Sequence, residues 1–383
     1  MAESVIKKMS GIFGSKEKRE QMEKIVNRAR KDLMPDIQVM MLGARRVGKT
    51  SILASMISQF EKVTTDTNLV ITKEKGKAID EAYDTIKGYF TGEHKPYDIV
   101  TLDNNGTPGF DYFDIKLSIA NKKNFTPRKI RFMDCSGEWI TNYTNEEEIS
   151  KEIDKSDVII IAIDSVLLME EGGKYNGQNA VQNITNFIED RVKPGEGMND
   201  HKMVLFVPLK CEKYYWQSKD KLGRFYGKRM NDLNQEVKRA YADLFAFLKK
   251  PNNAAHFDVA ILPILTIGGI EFYEFTADKN KTKVSTDEMK YVYCRNPQLE
   301  PQHCEQPLIY TLLYEYNKIQ KDYVEKAYDR AGKKKFGALI WEWLQDKRKM
   351  AKDQDYVNEM KKLESKIKHE GDGFEIIQGV SIR

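Results

Sequence analysis

The sequence has no long apolar run and no strong excess of charge of either sign. No stretch approaches the roughly 18 consecutive apolar residues that a membrane-spanning helix needs, and the first residues do not form the apolar core of a signal peptide. The formal net charge of the 383-residue chain is only +4, so composition gives no argument for nucleic-acid binding. We therefore expect a cytoplasmic protein without a transmembrane segment and without direct contact to nucleic acid.

Cysteine is scarce, and the chain has no internal repeat or low-complexity tract. Its four cysteines are Cys135, Cys211, Cys294 and Cys304, and the adjacent His303 does not complete a recognisable zinc-ligand spacing. We expect all four to be reduced thiols. The hydrophobic content of 40% is enough for a substantial core, and the length fits either several domain-sized units or one enlarged domain.

A phosphate-binding loop is the most informative motif present. Residues 43–50 read Gly-Ala-Arg-Arg-Val-Gly-Lys-Thr, which fits the pattern Gly-x-x-x-x-Gly-Lys-Ser/Thr. The glycines let the backbone curl so that its N–H groups point at phosphate, Lys49 reaches the β- and γ-phosphates, and the Thr50 hydroxyl can ligate Mg²⁺. We predict that the whole loop and the adjoining Ser51 contact nucleotide, namely Gly43, Ala44, Arg45, Arg46, Val47, Gly48, Lys49, Thr50 and Ser51.

The segments on either side of this loop support the motif. Residues 37–42 form a nearly continuous apolar strand, and residues 51–60 place apolar side chains on one face of a helix. This strand, loop and helix order aims the N-terminus of the helix at the phosphates. A chance match on a surface loop is the alternative interpretation.

Further periodicities predict an α/β fold with a mostly parallel sheet in three layers. Residues 113–119 alternate as an antiparallel edge strand, and residues 130–134 return after a connection too short for a crossover helix. Apolar runs at 158–163 and 203–207 are typical of central parallel strands, and residues 259–265 are predicted to close the sheet.

The second chemical motif follows the returning strand directly. It reads Asp134-Cys135-Ser136-Gly137-Glu138, where an acidic residue can hold Mg²⁺ and Gly137 can bring its N–H to the γ-phosphate. Here the chain resembles the Asp-x-x-Gly second switch of Ras-like GTPases, and the antiparallel hairpin points to their translation-factor-related branch. An aspartate that merely caps the loop after a core strand is the alternative.

The resemblance implies a Mg²⁺ site and a hydrolytic apparatus. The metal would be held by Thr50, Asp134 and Thr107, the last in a first switch before the edge strand. Thr101 competes for that role, and an ordinary Gly-Pro turn is the other interpretation. Glu138 stands where Ras-like enzymes carry the glutamine that orients water. We expect Lys49, Gly137 and Glu138 to serve hydrolysis, with Arg45 or Arg46 as an internal arginine finger, and intrinsic turnover to be slow.

Base recognition departs from the pattern that the resemblance implies. Such GTPases carry Asn/Thr-Lys-x-Asp after the next strand, whereas this chain has Leu209-Lys210-Cys211-Glu212. The resemblance assigns Lys210 and Glu212 to guanine, and Thr266 and Ile267 to the loop that touches the base through its backbone. An ordinary surface Lys/Glu pair and a preference for ATP both remain open.

Three features resemble the bacterial double-GTPase type, whose members are associated with multi-protein conflict or antiphage systems: the helical insertion before Thr107, the segment 207–212 and the loop 266–269. We expect an N-terminal helical extension (1–35), a P-loop GTPase domain (36–325) with insertions at 61–106 and 214–257, and a C-terminal helical extension (326–383). The expected cofactors are GTP or GDP and Mg²⁺, and the expected partner is an effector or regulatory protein. The alternatives are a non-hydrolysing nucleotide-bound scaffold, a P-loop ATPase, and a dynamin-like membrane GTPase whose N-terminus contacts lipid.

Overall fold

The computed structural model describes residues 36–74, 77–102, 109–121, 127–190, 201–220, 224–331, 354–368 and 373–379. The predicted N-terminal extension and Thr107 lie outside these residues, as does part of the predicted C-terminal extension. The predicted domain boundaries stay predictions.

Eleven strands are described in these residues. They are β1 (Ile37–Leu42), β2 (Leu69–Lys73), β3 (Ile99–Val100), β4 (Phe110–Ile119), β5 (Arg128–Cys135), β6 (Val158–Asp164), β7 (Lys202–Leu209), β8 (Phe257–Ile261), β9 (Ile270–Phe275), β10 (Met289–Tyr293) and β11 (Glu375–Gln378).

The helices follow in chain order. They are α1 (Lys49–Val63), α2 (Lys77–Gly88), α3 (Gly137–Asn142), α4 (Glu146–Lys155), α5 (Ser165–Met169), α6 (Val181–Glu189), α7 (Glu212–Gln217), α8 (Lys228–Ala240), α9 (Ala242–Lys249), α10 (Pro251–Ala254), α11 (Gln306–Ala331) and α12 (Gln354–Glu364). Three short 3₁₀ helices cover Glu170–Gly173, Asn176–Asn179 and Thr286–Glu288.

The main sheet has eight strands in the order β11-β8-β7-β6-β1-β5-β4-β2. The strands β5, β1, β6, β7 and β8 are parallel neighbours, and β6 and β7 are buried along their whole length. One apolar core contains residues of α1, α11 and α12, and the other contains residues of α4, α6, α8 and α9. The predicted mostly parallel α/β fold of three layers is therefore confirmed.

The predicted antiparallel hairpin is present, but its first strand does not form the edge of the sheet. β4 pairs antiparallel with β5, with Phe113 opposite Phe132. β2 then pairs antiparallel with β4 on the outside, so the prediction of an edge position for residues 113–119 is wrong. Alternation along β4 reflects two unlike faces, and this pattern does not depend on whether a neighbour pairs with the strand.

The opposite end of the sheet also extends beyond the prediction. β8 ends at Ile261, and β11 pairs antiparallel with it, so residues 259–265 do not close the sheet. Residues 262–265 remain buried after the strand ends, which explains why their apolar run looked like strand.

A second sheet was not predicted at all. It has three antiparallel strands in the order β3-β10-β9, built from the segment before Thr107 and the segment after β8. Its inner residues Phe272 and Tyr291 form an apolar cluster with Val166 of α5. The sheet thus packs over the carboxyl ends of the central strands, where the candidate site lies.

Two further observations concern properties expected from composition. None of the helices in the described parts of the chain is long and apolar enough to cross a membrane. All four cysteines are buried and free of disulfides, and burial raises the pKa of the Cys135 thiol to about 12.

Candidate functional site

The loop between β1 and α1 has the strained backbone that its glycines permit. Gly48 adopts a φ of 112°, in the left-handed region that disfavours side chains. A Cβ on Gly43 would lie 2.9 Å from the carbonyl oxygen of Ala162, so β6 crowds the start of the loop. Arg46 also has a positive φ of 66°, which places a bulky residue in a strained conformation.

Lys49 and Thr50 meet the aspartate of the second motif at the base of this loop. Thr50 Oγ1 donates a hydrogen bond of 2.8 Å to Asp134 Oδ2. Lys49 Nζ lies 3.9 Å from Asp134 Oδ1 and donates to the carbonyl oxygens of Gly43 and Ala44 at 3.0 and 3.4 Å. Lys49 and Asp134 are both buried. Thr50 and Asp134, which are 84 positions apart in the chain, are therefore in direct contact.

These groups fit a magnesium ion bound with a polyphosphate. A hydroxyl and a carboxylate are oxygen ligands of the kind Mg²⁺ prefers, and one or two protein ligands suffice when phosphate and water supply the rest. No group of three or more His, Cys, Asp and Glu side chains able to hold a metal occurs in the described residues. The helix α1 has 15 residues and begins at Lys49. Its N-terminus therefore favours the binding of phosphate at this point.

The second motif lies directly on the phosphate loop. Gly137 begins α3, and a Cβ added there would lie 2.3 Å from the backbone nitrogen of Arg45 and 2.5 Å from the carbonyl carbon of Ala44. Only a glycine allows the two backbones to approach so closely.

The two loop arginines and Glu138 all have protein partners. Arg45 and Glu138 form an ion pair, and both side chains are about half exposed. Arg46 Nη1 donates a hydrogen bond of 2.8 Å to Thr286 Oγ1, in the 3₁₀ helix just before β10. The candidate arginine fingers are thus held by the second motif and by the 3₁₀ helix before β10.

The helix of the second motif is also anchored away from the loop. Trp139 packs edge-to-face on Phe110, the first residue of β4, with ring centroids 5.1 Å apart. Asn183 of α6 donates hydrogen bonds to the carbonyl oxygens of Ile140 and Thr141 at 2.9 and 3.0 Å. The segment after the predicted first switch therefore contacts the second motif directly.

The Lys210 ammonium group pairs with the carboxylate of Asp164, the last residue of β6. Lys210 adopts a φ of 59°, and its Nζ contacts Asp164 Oδ2 at 2.5 Å. Burial opposes its charged form, but Asp164 and the Tyr291 hydroxyl outweigh burial, so the pKa of Lys210 is raised. Asp164 also caps α5 by accepting from the backbone of Val166 at 3.0 Å.

Glu212 is held by the loop that follows β8. Its Oε1 accepts hydrogen bonds from the backbone nitrogens of Ile267 and Gly268, at 2.8 and 3.1 Å. Burial raises the pKa of the Glu212 carboxyl, although the two amides favour its charged form. The Lys210 backbone nitrogen donates to Thr266 Oγ1 at 3.2 Å, so the two predicted base-binding segments are joined.

Leu209 departs from the polar residue usual at this place in Ras-like GTPases. Its Cδ1 is the nearest atom to a Cβ built on Gly48, at 3.5 Å. Leu209 is also buried in the same apolar cluster as Val47 of the phosphate loop.

The structure brings the phosphate-binding and metal-binding candidates together, whereas Thr107 lies outside the described residues. Thr101 is described and exposed, on the segment after β3. Asp164, Thr286 and Tyr291 are among the residues that contact candidates and were not identified from sequence. Asp164 could have been identified from the sequence, because it is the last residue of a buried parallel strand next to β1. The other two belong to the unpredicted second sheet and the turn before it.

Comparison with known proteins gives one family. A family model described as Double-GTPase 2 matches residues 37–247. No curated protein matches the chain.

Solved structures also resemble the chain. The Ski7 GTPase-like domain of S. cerevisiae, bound to GTP, is 13% identical, with a TM-score of 0.33 over 62% of this chain and 45% of that one. Sup35 complexed with GDP is 10% identical, with a TM-score of 0.25 over 67% of this chain and 41% of that one. The chain therefore spans less than half the length of each of these two structures.

Proposed function

The chain belongs to the Double-GTPase 2 family, and from that premise we propose that it binds GTP and GDP with Mg²⁺ and hydrolyses GTP slowly. The observation that carries this proposal is the 2.8 Å hydrogen bond between Thr50 and Asp134 at the base of the phosphate loop. It joins two of the three metal-ligand candidates beside the lysine that would neutralise phosphate.

The residues of the chain suit phosphoryl transfer to water. Such transfer needs positioning and charge neutralisation more than covalent help. A bound Mg²⁺ ion would neutralise charge on the β- and γ-phosphates. Thr50 and Asp134 would hold that ion, Lys49 would place its ammonium group against the phosphates, and the Gly137 N–H would donate to the γ-phosphate.

Slow turnover follows from the position of Glu138. A carboxylate can accept a proton from the attacking water, but its charge repels the γ-phosphate. Here Glu138 is also paired with Arg45. Orientation of the water therefore requires that pair to loosen, and we propose that a protein partner accelerates this step.

The test is nucleotide binding and phosphate release. We expect purified protein to bind fluorescent GTP and GDP more tightly than ATP, and to release phosphate from GTP with Mg²⁺. Lys49→Ala should reduce GTP affinity at least tenfold, because the ammonium group is lost from the phosphate loop. Lys151→Ala, at a side chain 67% exposed on α4, serves as the matched control. Binding of neither guanine nucleotide by the wild-type protein would refute the proposal.

We further propose that the bound nucleotide acts as a switch for a protein partner in a multi-protein bacterial defence or conflict system. The contact between Trp139 and Phe110 supports a switch, because it couples the second motif to the strand that follows the predicted first switch. A partner captured from the native host by the GTP-bound form and not by the GDP-bound form would support this role. Equal capture by both forms would contradict it.

A non-hydrolysing scaffold is the second candidate function. The Arg45–Glu138 ion pair favours it, since it engages the residue expected to orient water. Tight binding of GTP without phosphate release, with and without partner, would select the scaffold. Tight binding and hydrolysis of ATP in the same assay would instead select a P-loop ATPase.

A further inference from the structure

The Glu212 side chain contacts the backbone of the loop that follows β8, where the resemblance places the base. α7 begins at Glu212, directly after the turn that follows β7. One carboxylate oxygen, Oε1, accepts from two successive amides, those of Ile267 and Gly268. Both amides are in the loop 266–269, which the resemblance assigns to base contact.

The Glu212 carboxyl is enclosed. The residue is only 3% exposed, so its side chain does not face an open cleft. Gly268 is buried as well, and its N–H would lose its acceptor if the carboxylate rotated away. A buried N–H without an acceptor is costly, which favours retention of the contact.

The loop itself is fixed from two other sides. Ser55 of α1 donates to the Thr266 carbonyl oxygen at 3.2 Å, and the Glu300 backbone nitrogen donates to that of Ile267 at 3.0 Å. Gly268 has a φ of 86°, and a Cβ there would lie 1.9 Å from the Glu300 carbonyl oxygen. The amides that Glu212 accepts from therefore have little room to move toward a ligand.

The second charged residue of the motif is held in the same way. Lys210 Nζ contacts Asp164 Oδ2 at 2.5 Å, and the Lys210 side chain is only 16% exposed. Both charges that the resemblance assigns to guanine thus have internal partners, on opposite sides of the turn after β7.

We infer that Glu212 is a positioning residue that fixes the loop at 266–268 through two backbone amides, and that its carboxylate does not read the base. The second half of this inference rests on the proposed function, and the first half does not. We call these two hydrogen bonds the clamp. A glutamine at position 212 would preserve the clamp, because its side-chain oxygen can accept from both amides.

The clamp is tested first without nucleotide, by amide hydrogen exchange of the purified full chain. We expect Glu212→Ala to lose protection at residues 267 and 268 by at least tenfold, and Glu212→Gln to retain it. Ser58→Ala, at a half-buried position of α1, controls for general loosening. Unchanged protection in Glu212→Ala would overturn the inference, even if the wild-type protein bound no nucleotide.

The base is tested with GTP and xanthosine triphosphate. A carboxylate that reads guanine accepts from its N1–H and its amino group. A glutamine there would donate to the xanthine oxygen instead and shift preference toward xanthine. We expect the ratio of the GTP and xanthosine triphosphate dissociation constants to stay within threefold of wild type in Glu212→Gln. Glu212→Ala should weaken both nucleotides by a similar factor, at least fivefold. A tenfold or larger shift toward xanthine in Glu212→Gln would overturn the inference.

Discussion

Arg45 and Glu138 form an ion pair that joins the phosphate loop to the residue after the second-motif glycine. Each was expected from the sequence to have a separate role in hydrolysis, but in this structure the two charges neutralise each other. Their side chains are 47% and 54% exposed. Exposed pairs add only ~0–1 kcal/mol to folding stability. The main effect of this pair is therefore that Arg45 neutralises the Glu138 carboxylate next to the nucleotide phosphates.

Arg45→Ala should therefore change nucleotide preference more than stability. With Glu138 no longer neutralised, we expect GTP affinity to fall relative to GDP affinity by roughly fivefold, the equivalent of ~1 kcal/mol. The free energy of unfolding should change by less than about 1 kcal/mol. Fluorescence titration with a slowly hydrolysed GTP analogue and with GDP measures the ratio.

Arg45→Lys is the matched control, because it keeps the positive charge beside Glu138. The ratio should stay near that of wild type in this variant, and the effect of Arg45→Ala should shrink at high salt, where exposed charges are screened. An equal loss of GTP and GDP affinity in Arg45→Ala would contradict this electrostatic explanation.

Asp134→Asn should uncouple nucleotide binding from magnesium. Asp134 is buried and accepts from Thr50, so the amide keeps the shape of the site but removes the anionic ligand. We expect the gain in GTP affinity on adding Mg²⁺, relative to EDTA, to fall at least tenfold. Thr50→Ser retains a hydroxyl and should preserve most of that gain. A full magnesium effect in Asp134→Asn would remove this residue from the metal site.

The core of the fold was predictable because its signals are local. The loop at 43–50 lies between a strand and a helix with clear periods, and the hairpin of β4 and β5 follows from one short connection. The second sheet gave no such signal. β3 has only two residues, which is too few to show a period. Its partner β10 lies far along the chain, so no short connection indicates their pairing.

Periodicity also hides a break between two helices. Apolar residues at positions 233, 237, 241, 244 and 248 follow one helical period, but the structure ends α8 at Ala240 and begins α9 at Ala242. Tyr241 between them is buried with its apolar neighbours on one face, so the period continues across the break. Likewise, the charge of Glu212 was visible in the sequence, whereas its two amide donors come from a loop 55 and 56 residues away.

Gly137→Ala should impair the site through the backbone contact with the phosphate loop. The added Cβ would lie 2.3 Å from the Arg45 nitrogen, and backbone atoms can make little room. We expect the free energy of unfolding to fall by about 1–3 kcal/mol and phosphate release to fall at least tenfold. Gly177→Ala is the control, since a Cβ there meets no atom within 4 Å. Wild-type stability in Gly137→Ala would show that the two backbones separate easily.

Asp114→Asn should destabilise the hairpin of β4 and β5 in a pH-dependent way. Asp114 accepts two hydrogen bonds from Arg131, at 2.8 and 3.0 Å, and pairs with Lys129 at 2.7 Å. The Arg131 hydrogen bonds outweigh burial and lower the pKa of Asp114 below its usual value of 3.8. A lowered folded-state pKa gives stability that is present above the unfolded-state pKa and is lost as pH falls through the folded-state pKa.

Urea unfolding across a range of pH measures this effect. At pH 7 we expect Asp114→Asn to lower the free energy of unfolding by about 1–2 kcal/mol, a modest figure because both basic partners are partly exposed. The difference from wild type should shrink below about pH 4 and disappear once Asp114 is protonated in the folded protein. Asp111→Asn, at an exposed position of the same strand, should show little difference at any pH. A destabilisation by Asp114→Asn that stays constant down to about pH 2 would show that shape, and not charge, accounts for the contribution of Asp114.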